Sequence, residues 1–362
     1  MTRYHDLADQ TAALIADGVL RPGDRLPSVR HTCRLHGLAP VTVTQAYHLL
    51  ESRGLIEARP RSGYFVRAHL GQRLPEPEMS RPVGHSTQLE VSDFIFEILD
   101  STKDPAVAPL GSSFPSPWLF PLDKLGRCLA SAARHLDPLA TVTDLPPGND
   151  ALRRQLSLRY LAQGARVPPQ EIVITSGALE GLNLCLQAVT QPGDLIAVES
   201  PTFYATLQAA ERLGLKVVEI PSHPRDGLNL AALAEVLAQQ PVKACLAMLN
   251  FSNPTGSLLP DERKKALLGL LRAHQVPLIE DDVYAELHFG ATPPLCSKAL
   301  DSDGLVMHVS SFSKCLAPGY RIGWVAAGRY IEPIRRQKLT TSLATSAPIQ
   351  AALAIYLKQG GY

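Results

Sequence analysis

Short apolar segments that alternate with helical patterns constrain the fold of this chain more than any other feature. The segments span residues 171–175, 195–198, 216–220, 244–249, 278–280 and 306–309. This alternation is typical of a mostly parallel sheet covered by helices on both faces. In such sheets, ligands bind beyond the carboxyl ends of the strands. The sequence from about residue 93 onward therefore predicts an α/β domain with its site at that edge.

Candidate ligand-binding residues directly follow several of these segments. Ser176, Gly177 and Ala178 lie between the first segment and a helical pattern, where free amides and the helix dipole favour an anion. The later segments are followed, in chain order, by Phe203, Asn253, Asp281, Tyr284 and Lys314. Each of these residues alone is ordinary in a turn. Their succession along one sheet edge indicates a single site.

Lys314 lies in a stretch suited to bonding an aldehyde and to holding a phosphate. Residues 310–321 place this lysine among serines, just before a Pro-Gly turn and Arg321. A lysine amine reacts with an aldehyde only after it loses a proton, which burial or a neighbouring cation favours. Ser311, Ser313 and Arg321 carry hydroxyl and guanidinium groups that bind phosphate. Together with an acid, hydrogen-bonding side chains and an aromatic ring at neighbouring strand ends, this stretch predicts pyridoxal 5′-phosphate (PLP) as cofactor.

The first 68 residues show a different pattern, in which three helical segments precede two short strands. The helical segments are 4–17, 28–36 and 40–50, and the strands are 55–58 and 64–66. Ser28 is placed to cap the second helix, and Pro40 suits the first turn of the third. Three helices and a two-stranded wing predict a winged helix-turn-helix, whose third helix suits the major groove of DNA.

The side chains of this domain fit that prediction. Residues 1–68 contain nine arginines and no lysine, against six acidic residues, and arginine favours phosphate contact. The third helix places Val43, Ala46, Leu49 and Leu50 inward and Thr42, Thr44, Gln45 and His48 outward. Arg59 and Arg61 lie in the wing, where they suit the DNA backbone or minor groove. A small helical domain used for protein contact is the alternative.

The rest of the sequence indicates a cytoplasmic protein. Residues 69–92 are polar and proline-bearing without apolar periodicity, which predicts a linker. The six cysteines lie far apart without the spacing of metal ligands, which favours reduced, buried thiols. The chain opens on a polar amphipathic stretch rather than a signal peptide, and no uncharged apolar run is long enough to span a bilayer. We expect association with the nucleoid when DNA is bound.

The first domain resembles the GntR-type DNA-binding domain in several motifs. These are residues 21–30 (RPGDRLPSVR), Thr42-Val43, Leu50-Glu51, Gly54-Leu55 and residues 62–66 (SGYFV). The resemblance implies that Ser28 and Arg30 contact phosphates and that the face from Thr42 to His48 reads bases. Many GntR domains carry Ser-Arg one residue ahead of the Thr-Val pair, where this chain has Ala39-Pro40. The operator sequence therefore stays open.

Residues 93–362 resemble the fold-type I, aspartate-aminotransferase-like PLP family, and the whole chain resembles the MocR-type transcription regulators. The resemblance implies that Lys314 forms the internal aldimine and that Asp281 pairs with the pyridinium nitrogen. It also implies that Asn253 and Tyr284 bond the phenolic oxygen and that Phe203 stacks on the ring, with Tyr204 as the alternative. The implied phosphate ligands are Ser176, Gly177, Ala178, Ser311, Ser313 and Arg321. Family members dimerise through this domain, so a homodimer is expected.

Two departures from the family pattern bear on the expected fold. Residues 143–147 contain no tyrosine, where family members often place one that reaches the partner subunit's phosphate. The family also continues for on the order of a hundred residues beyond this C-terminus. The arginine that grips the amino-acid carboxylate lies in that part. We therefore expect a fold-type I α/β domain that is incomplete at its C-terminus, with the small domain largely absent.

The sequence predicts a regulator of transcription whose aminotransferase-like domain senses PLP or an amino compound through Lys314, with an operator in double-stranded DNA as partner. The alternative is a PLP-dependent aminotransferase acting on an amino acid and a 2-oxo acid, since Asn253, Asp281, Tyr284, Lys314 and Arg321 are all present. A storage or scaffold protein that binds PLP without a role on DNA leaves the arginines of the first domain unexplained.

Overall fold

The structure, a computed structural model, describes residues 3–60, 62–67, 77–82, 92, 95 and 113–362. The chain divides into two compact units, Met1–Glu76 and Pro77–Tyr362. The boundary between them falls within the predicted linker 69–92, of which only 77–82 and residue 92 are among the described residues. Within the described part, no helix is both long and apolar enough to cross a membrane.

The first unit has the predicted three helices and two-stranded wing. Its elements are α1 (Arg3–Ala16), α2 (Val29–His36), α3 (Pro40–Ser52), β1 (Ile56–Arg59) and β2 (Gly63–Val66). The Ser28 hydroxyl accepts a hydrogen bond from the His31 amide at the start of α2, and Gly37 ends that helix at φ 63°. Pro40 occupies the first turn of α3. The predicted boundaries of α2 and the start of α3 are therefore confirmed.

The core of the first unit includes one aromatic residue that the sequence analysis did not place inward. Val43, Ala46 and Leu50 are buried as predicted, whereas Leu49 is only half-buried. Tyr47 is buried with them, and its hydroxyl donates to the Pro27 carbonyl at 2.8 Å. The Thr32 hydroxyl lies 2.9 Å from the same oxygen. Because these bonds satisfy the hydroxyl, the ring can fill the core at a position one helical turn from Val43.

The second unit is built on one sheet of eight strands among the described residues. The strands are β3 (Ile172–Thr175), β4 (Leu195–Ser200), β5 (Lys216–His223), β6 (Gly227–Leu228), β7 (Val242–Ala247), β8 (Leu278–Asp281), β9 (Val306–Ser311) and β10 (Gly323–Ala326). The helices are α4 (Leu122–His135), α5 (Ala140–Thr143), α6 (Asp150–Ala162), α7 (Ala178–Val189), α8 (Tyr204–Arg212), α9 (Leu230–Gln239), α10 (Asp261–Ala273), α11 (Ile331–Thr341) and α12 (Ala347–Lys358). The strand order is β3-β10-β9-β8-β7-β4-β5-β6.

The strands that carry the site run in one direction. β9, β8, β7, β4 and β5 pair in parallel. β10 pairs antiparallel with both β3 and β9, so β3 runs in the same direction as the parallel group. The predicted mostly parallel sheet is confirmed, and it brings the carboxyl ends of these strands to one edge. The strands β6 and β10 were not predicted.

Side chains on both faces of the sheet are buried. On β3, Ile172 and Ile174 join a cluster with α4, α6 and α12, whereas Val173 joins a cluster with α7 and α8. On β4, Ile196 belongs to the α7 side and Ala197 to a third cluster that includes α9 and α10. Successive residues of a strand point to opposite faces, so helices cover both faces, which explains why the strands read as continuous apolar runs.

Candidate functional site

A cavity of about 200 Å³ lies at the carboxyl edge of the sheet. The predicted residues that line it are Ala178, Phe203, Asp281, Tyr284, Ser311, Ser313, Lys314 and Arg321. Apart from Arg321, which precedes β10, these residues lie at or after the ends of β3, β4, β8 and β9. These four strands run in the same direction, so their carboxyl ends lie at one edge of the sheet. Three predicted residues, Ser176, Gly177 and Asn253, are not among the lining residues.

Lys314 follows β9 and is half-buried at the cavity wall. Its Nζ donates to the Ser113 hydroxyl at 3.2 Å and lies 3.6 Å from the centroid of the Phe114 ring. Burial lowers the pKa of the Lys314 amine, and the charge of Asp281 opposes that shift. A lowered pKa raises the fraction of neutral amine, which is the form that attacks an aldehyde.

Asp281 places a buried carboxylate in the same cavity. It is 2% exposed, and within the described part of the protein its Oδ1 has no hydrogen-bond partner. Burial raises the pKa of Asp281 to about 7, and the charge of Asp282 adds to the rise. A buried acceptor without a partner is costly, and a cationic donor from a ligand would satisfy it. A protonated ring nitrogen is such a donor, so Asp281 fits the pyridine ring of PLP.

Tyr284 is held at the cavity wall by hydrogen bonds. Its hydroxyl lies 2.8 Å from the Ser113 hydroxyl, and the Asn253 side-chain amide donates to it at 3.4 Å. Burial raises the pKa of Tyr284, so the phenol stays protonated and able to donate. Asn253 lies in an adjoining recess of about 250 Å³ that Ser113 and Tyr284 also line. Asn253 therefore acts on the cavity indirectly, by its hydrogen bond to the Tyr284 hydroxyl.

Arg321, Ser313 and the start of α7 form a group suited to an anion. Arg321 Nη1 donates to the Ser313 hydroxyl at 3.4 Å, and Nη2 donates to the Ser176 carbonyl at 3.2 Å. Gly177 precedes α7 at φ 91°, and a Cβ there would lie 2.9 Å from Arg321 Cζ. Only glycine therefore lets the guanidinium approach the helix N-terminus this closely. The combination of a guanidinium and a helix N-terminus fits the phosphate of PLP.

Ser176 contacts a second group of charges beside this one. Its amide donates to Glu180 Oε2 at 2.6 Å, and Lys338 of α11 donates to the same carboxylate at 3.0 Å. Lys338 is 1% exposed. The Ser176 amide is therefore engaged by Glu180, and its carbonyl positions Arg321. Ser176 therefore contacts Glu180 and Arg321 and is not among the residues that line the cavity.

The sequence analysis missed several residues of this region. Ser113 and Phe114 contact Lys314 but precede the first apolar segment in a stretch without periodicity, so no pattern marks them. Glu199 is buried beside the cavity and accepts from the Met248 amide at 2.7 Å and the Ser252 hydroxyl at 3.0 Å. Burial raises the pKa of Glu199 to about 8. An acidic residue near the end of an apolar strand is a signal that could have identified it.

The residues predicted to contact DNA are all in the first unit. On α3, Gln45 and His48 are exposed, and Thr42 and Thr44 are half-buried. Arg30 is exposed on α2, whereas the Ser28 hydroxyl caps that helix. The Arg59 guanidinium lies over the Phe65 ring at 4.4 Å and donates to Glu57 at 2.8 Å. Arg61 lies outside the described residues.

Comparisons with known proteins match both units. Residues 3–66 match the bacterial regulatory proteins of the gntR family, and residues 132–359 match the aminotransferases of class I and II. The chain is 48% identical over its full length to the HTH-type transcriptional regulator YdcR of Escherichia coli, of which it covers 77%. It is 32% identical to the HTH-type transcriptional regulator TauR of Rhodobacter capsulatus, with 99% of this chain and 74% of that protein covered.

Solved structures match the second unit. An archaeal alanine:glyoxylate aminotransferase has a TM-score of 0.67 and 29% identity, covering 75% of this chain and 69% of that one. The kynurenine aminotransferase of Pyrococcus horikoshii, solved in complex with PMP, has a TM-score of 0.66 and 29% identity, covering 76% of this chain and 69% of that one. The second unit therefore has the fold of the fold-type I aminotransferases.

Proposed function

The chain belongs to the MocR-type regulators, which join a GntR-type DNA-binding domain to an aminotransferase class I and II domain, and we propose that it is a transcription regulator that responds to PLP. One observation carries the proposal. Lys314 and Asp281 line one cavity, and the same chain carries a winged helix-turn-helix. A catalytic protein needs no such DNA-binding unit.

We assign the cofactor contacts from the residues that meet at the cavity. Lys314 supplies the amine that holds the aldehyde carbon, and Asp281 keeps a proton on the ring nitrogen. Phe203 packs against the ring. Tyr284, oriented by Asn253, donates to the phenolic oxygen. The phosphate ligands are Ala178, Ser311, Ser313 and Arg321, with Ser176 and Gly177 placing the guanidinium.

PLP, when bound, supplies a carbonyl carbon that amines attack and a ring that draws electrons away from that carbon. The side chains around the cavity determine which amines reach that carbon. Lys314 is itself an amine, so an amino acid or another amine competes with it, and we propose a compound of this class as effector. The effector changes DNA affinity only if it binds two arrangements of the protein with different free energies.

We assign DNA contact to the exposed faces of the first unit. Arg30, Arg59 and Arg61 meet phosphates, with Ser28 at the start of α2 beside them, and the α3 face of Thr42, Thr44, Gln45 and His48 enters the major groove. A homodimer through the second unit would present two such units to an operator with two half-sites in cytoplasmic, nucleoid-associated DNA.

The experiment that tests this function uses a duplex selected from a random-sequence pool by the purified protein. Fluorescence anisotropy gives the dissociation constant for this duplex and for a scrambled one, over a range of salt concentrations, with and without PLP. We expect tighter binding to the selected duplex, a steep fall in affinity with salt, and a change on adding PLP that Lys314→Ala abolishes. Equal affinity for both duplexes, or the same PLP response in Lys314→Ala, would contradict the proposal.

Aminotransferase activity is the second candidate, and the half-buried Lys314 beside Asp281 favours it. A lowered amine pKa suits repeated proton transfer as well as sensing. The two functions separate in an assay with amino-acid donors and 2-oxoglutarate. Formation of several keto-acid products per protein molecule supports the enzyme, whereas less than one product per molecule supports the regulator alone.

A further inference from the structure

A chain of buried hydrogen bonds lies directly behind Asp281. Trp324 Nε1 donates to the Tyr160 hydroxyl at 2.9 Å, which lies 2.7 Å from His308 Nδ1. His308 Nε2 lies 2.9 Å from Asp282 Oδ2. Asp281 lines the cavity of about 200 Å³, whereas Asp282 and His308 line a separate recess of about 30 Å³. Two adjacent carboxylates are therefore presented to opposite sides of the end of β8.

A second chain of donors reaches Asp282 from the other side. Lys264 is fully buried, and its Nζ donates to Asn250 Oδ1 at 2.7 Å. Asn250 Nδ2 in turn donates to Asp282 Oδ1 at 3.0 Å. Each oxygen of Asp282 thus receives a hydrogen bond from a buried group. This arrangement holds a negative charge next to Asp281, which would by itself disfavour the charge of Asp281.

His308 is the basic side chain placed to offset that charge. Burial acts to lower the pKa of His308, but the hydrogen bond to Asp282 and the charges of Asp282 and Glu280 outweigh it and raise the pKa above its ordinary value. Lys298 opposes this rise. Tyr160 already accepts from Trp324, and its oxygen can also accept from a protonated Nδ1. The other ionisable groups along the recess are Arg159 and Glu286, which bond to each other.

The same charges act on Asp281 across the strand. After burial, the charge of Asp282 is the largest cause that raises the pKa of Asp281, and the charge of His308 is the largest cause that lowers it. Lys314 lowers it to a smaller degree. The buried carboxyl of Glu199 on β4 also interacts with the charge of Asp281 and is unchanged in every variant compared below. His308 and Asp282 therefore act on Asp281 with opposite signs.

We propose that His308 is a positioning residue for the cofactor site, which acts through Asp282 to keep Asp281 ionised opposite the ring nitrogen of PLP. The inference rests on the proposed function, because it assumes that Asp281 meets that nitrogen. His308 does not line the cofactor cavity, so its effect is transmitted by charge. Tyr160 fixes the ring of His308 and thereby supports the same effect.

The sign of the expected effect depends on the charge that the ring nitrogen needs. Asp281 must be ionised to hold a protonated nitrogen, so PLP affinity falls as pH drops through the Asp281 pKa of about 7. Removal of the His308 charge raises this pKa and moves the fall to higher pH, by about one pH unit, the low end of what one neighbouring charge produces. Removal of the Asp282 charge moves the fall to lower pH.

The test is the dissociation constant of PLP, followed by its visible absorption, in the apo-protein from about pH 5 to pH 9. Wild type, His308→Gln, Asp282→Asn and the double variant are compared, and the titration of free PLP is common to all four. We expect His308→Gln to bind PLP about tenfold more weakly than wild type on the acid side. In the Asp282→Asn background the same substitution should have little effect, because the positive charge of His308 depends on its bond to Asp282.

Thermal unfolding separates this effect from a structural role, since lost packing lowers the melting temperature without moving the pH at which PLP affinity falls. If His308→Gln fails to fold, Tyr160→Phe provides the test, with a smaller shift in the same direction. If His308→Gln, or Tyr160→Phe in its place, folds and binds PLP with the same pH dependence as wild type, the inference is overturned and the proposed function is not affected. Wild type that binds no PLP at any pH would overturn the proposed function and the inference with it.

Discussion

Substitution of Gly177 by alanine tests the anion site most sharply. Gly177 has φ 91° and ψ 170°, a backbone region that is nearly exclusive to glycine and costs other residues about 1–3 kcal/mol. The new Cβ would also lie 2.9 Å from Arg321 Cζ. Because the guanidinium ends a flexible side chain, it moves away and loses its bonds to Ser176 and Ser313. A charge-assisted hydrogen bond is worth about 1.5–3 kcal/mol, so PLP affinity should fall roughly ten- to hundredfold.

Gly193 offers a control for the strain that a side chain causes at a backbone position with positive φ. It has φ 90° in a turn, and a Cβ there would meet nothing within 4 Å. Gly193→Ala should therefore lower the free energy of unfolding without changing the dissociation constant of PLP. Urea denaturation gives the first quantity and absorption titration the second. Unchanged PLP affinity in a folded Gly177→Ala protein would refute the assignment of Arg321 to the phosphate.

Three further substitutions test other parts of the structure. Tyr47→Phe removes the hydroxyl bonds inside the first unit, so urea denaturation should show a loss of about 1–2 kcal/mol for that unit. Arg30→Ala should weaken binding to selected and scrambled duplexes alike and reduce the slope of log affinity against log salt by about one. Lys338→Met leaves Glu180 without its buried partner and should cost roughly 2–3 kcal/mol, less than for a fully buried pair. Burial acts to raise the pKa of Glu180, but hydrogen bonds from Ser342 and Ser176 and the charge of Lys338 outweigh it and lower this pKa. The difference in unfolding free energy between wild type and Lys338→Met, measured by denaturation, should therefore shrink as pH falls below about 4, where Glu180 becomes protonated.

The sequence was sufficient to predict features that depend on neighbouring residues. The Ser28 cap, the Gly37 end of α2 and the parallel strands follow from local patterns, and the structure has each of them. Lys314 and Asp281 were found because each follows an apolar strand, and parallel strands bring their carboxyl ends together. Their residue types then indicated the cofactor.

Features that depend on distant residues were not predictable in this way. β10 pairs between β3 and β9, and its short sequence after a Pro-Gly turn does not show that position. Tyr160, His308 and Asp282 are on different elements and meet only in the folded protein. Ser176 was expected at the phosphate from its position before α7. The Ser176 amide instead donates to the Glu180 carboxylate, which lies four residues later. Lys338, on a helix distant in sequence, holds that carboxylate in place by a hydrogen bond.

The identity of the lysine that binds PLP decides whether the cavity is a cofactor site. The protein is incubated with PLP, reduced with sodium borohydride and digested, and mass spectrometry locates the modified residue. The structure predicts modification at Lys314, and none at Lys298 or Lys338, which are both buried in ion pairs away from the cavity. Lys314→Ala should abolish the modification. Attachment at another lysine in place of Lys314, or an unmodified wild-type chain, would contradict the assignment of Lys314 and Asp281 to a PLP site.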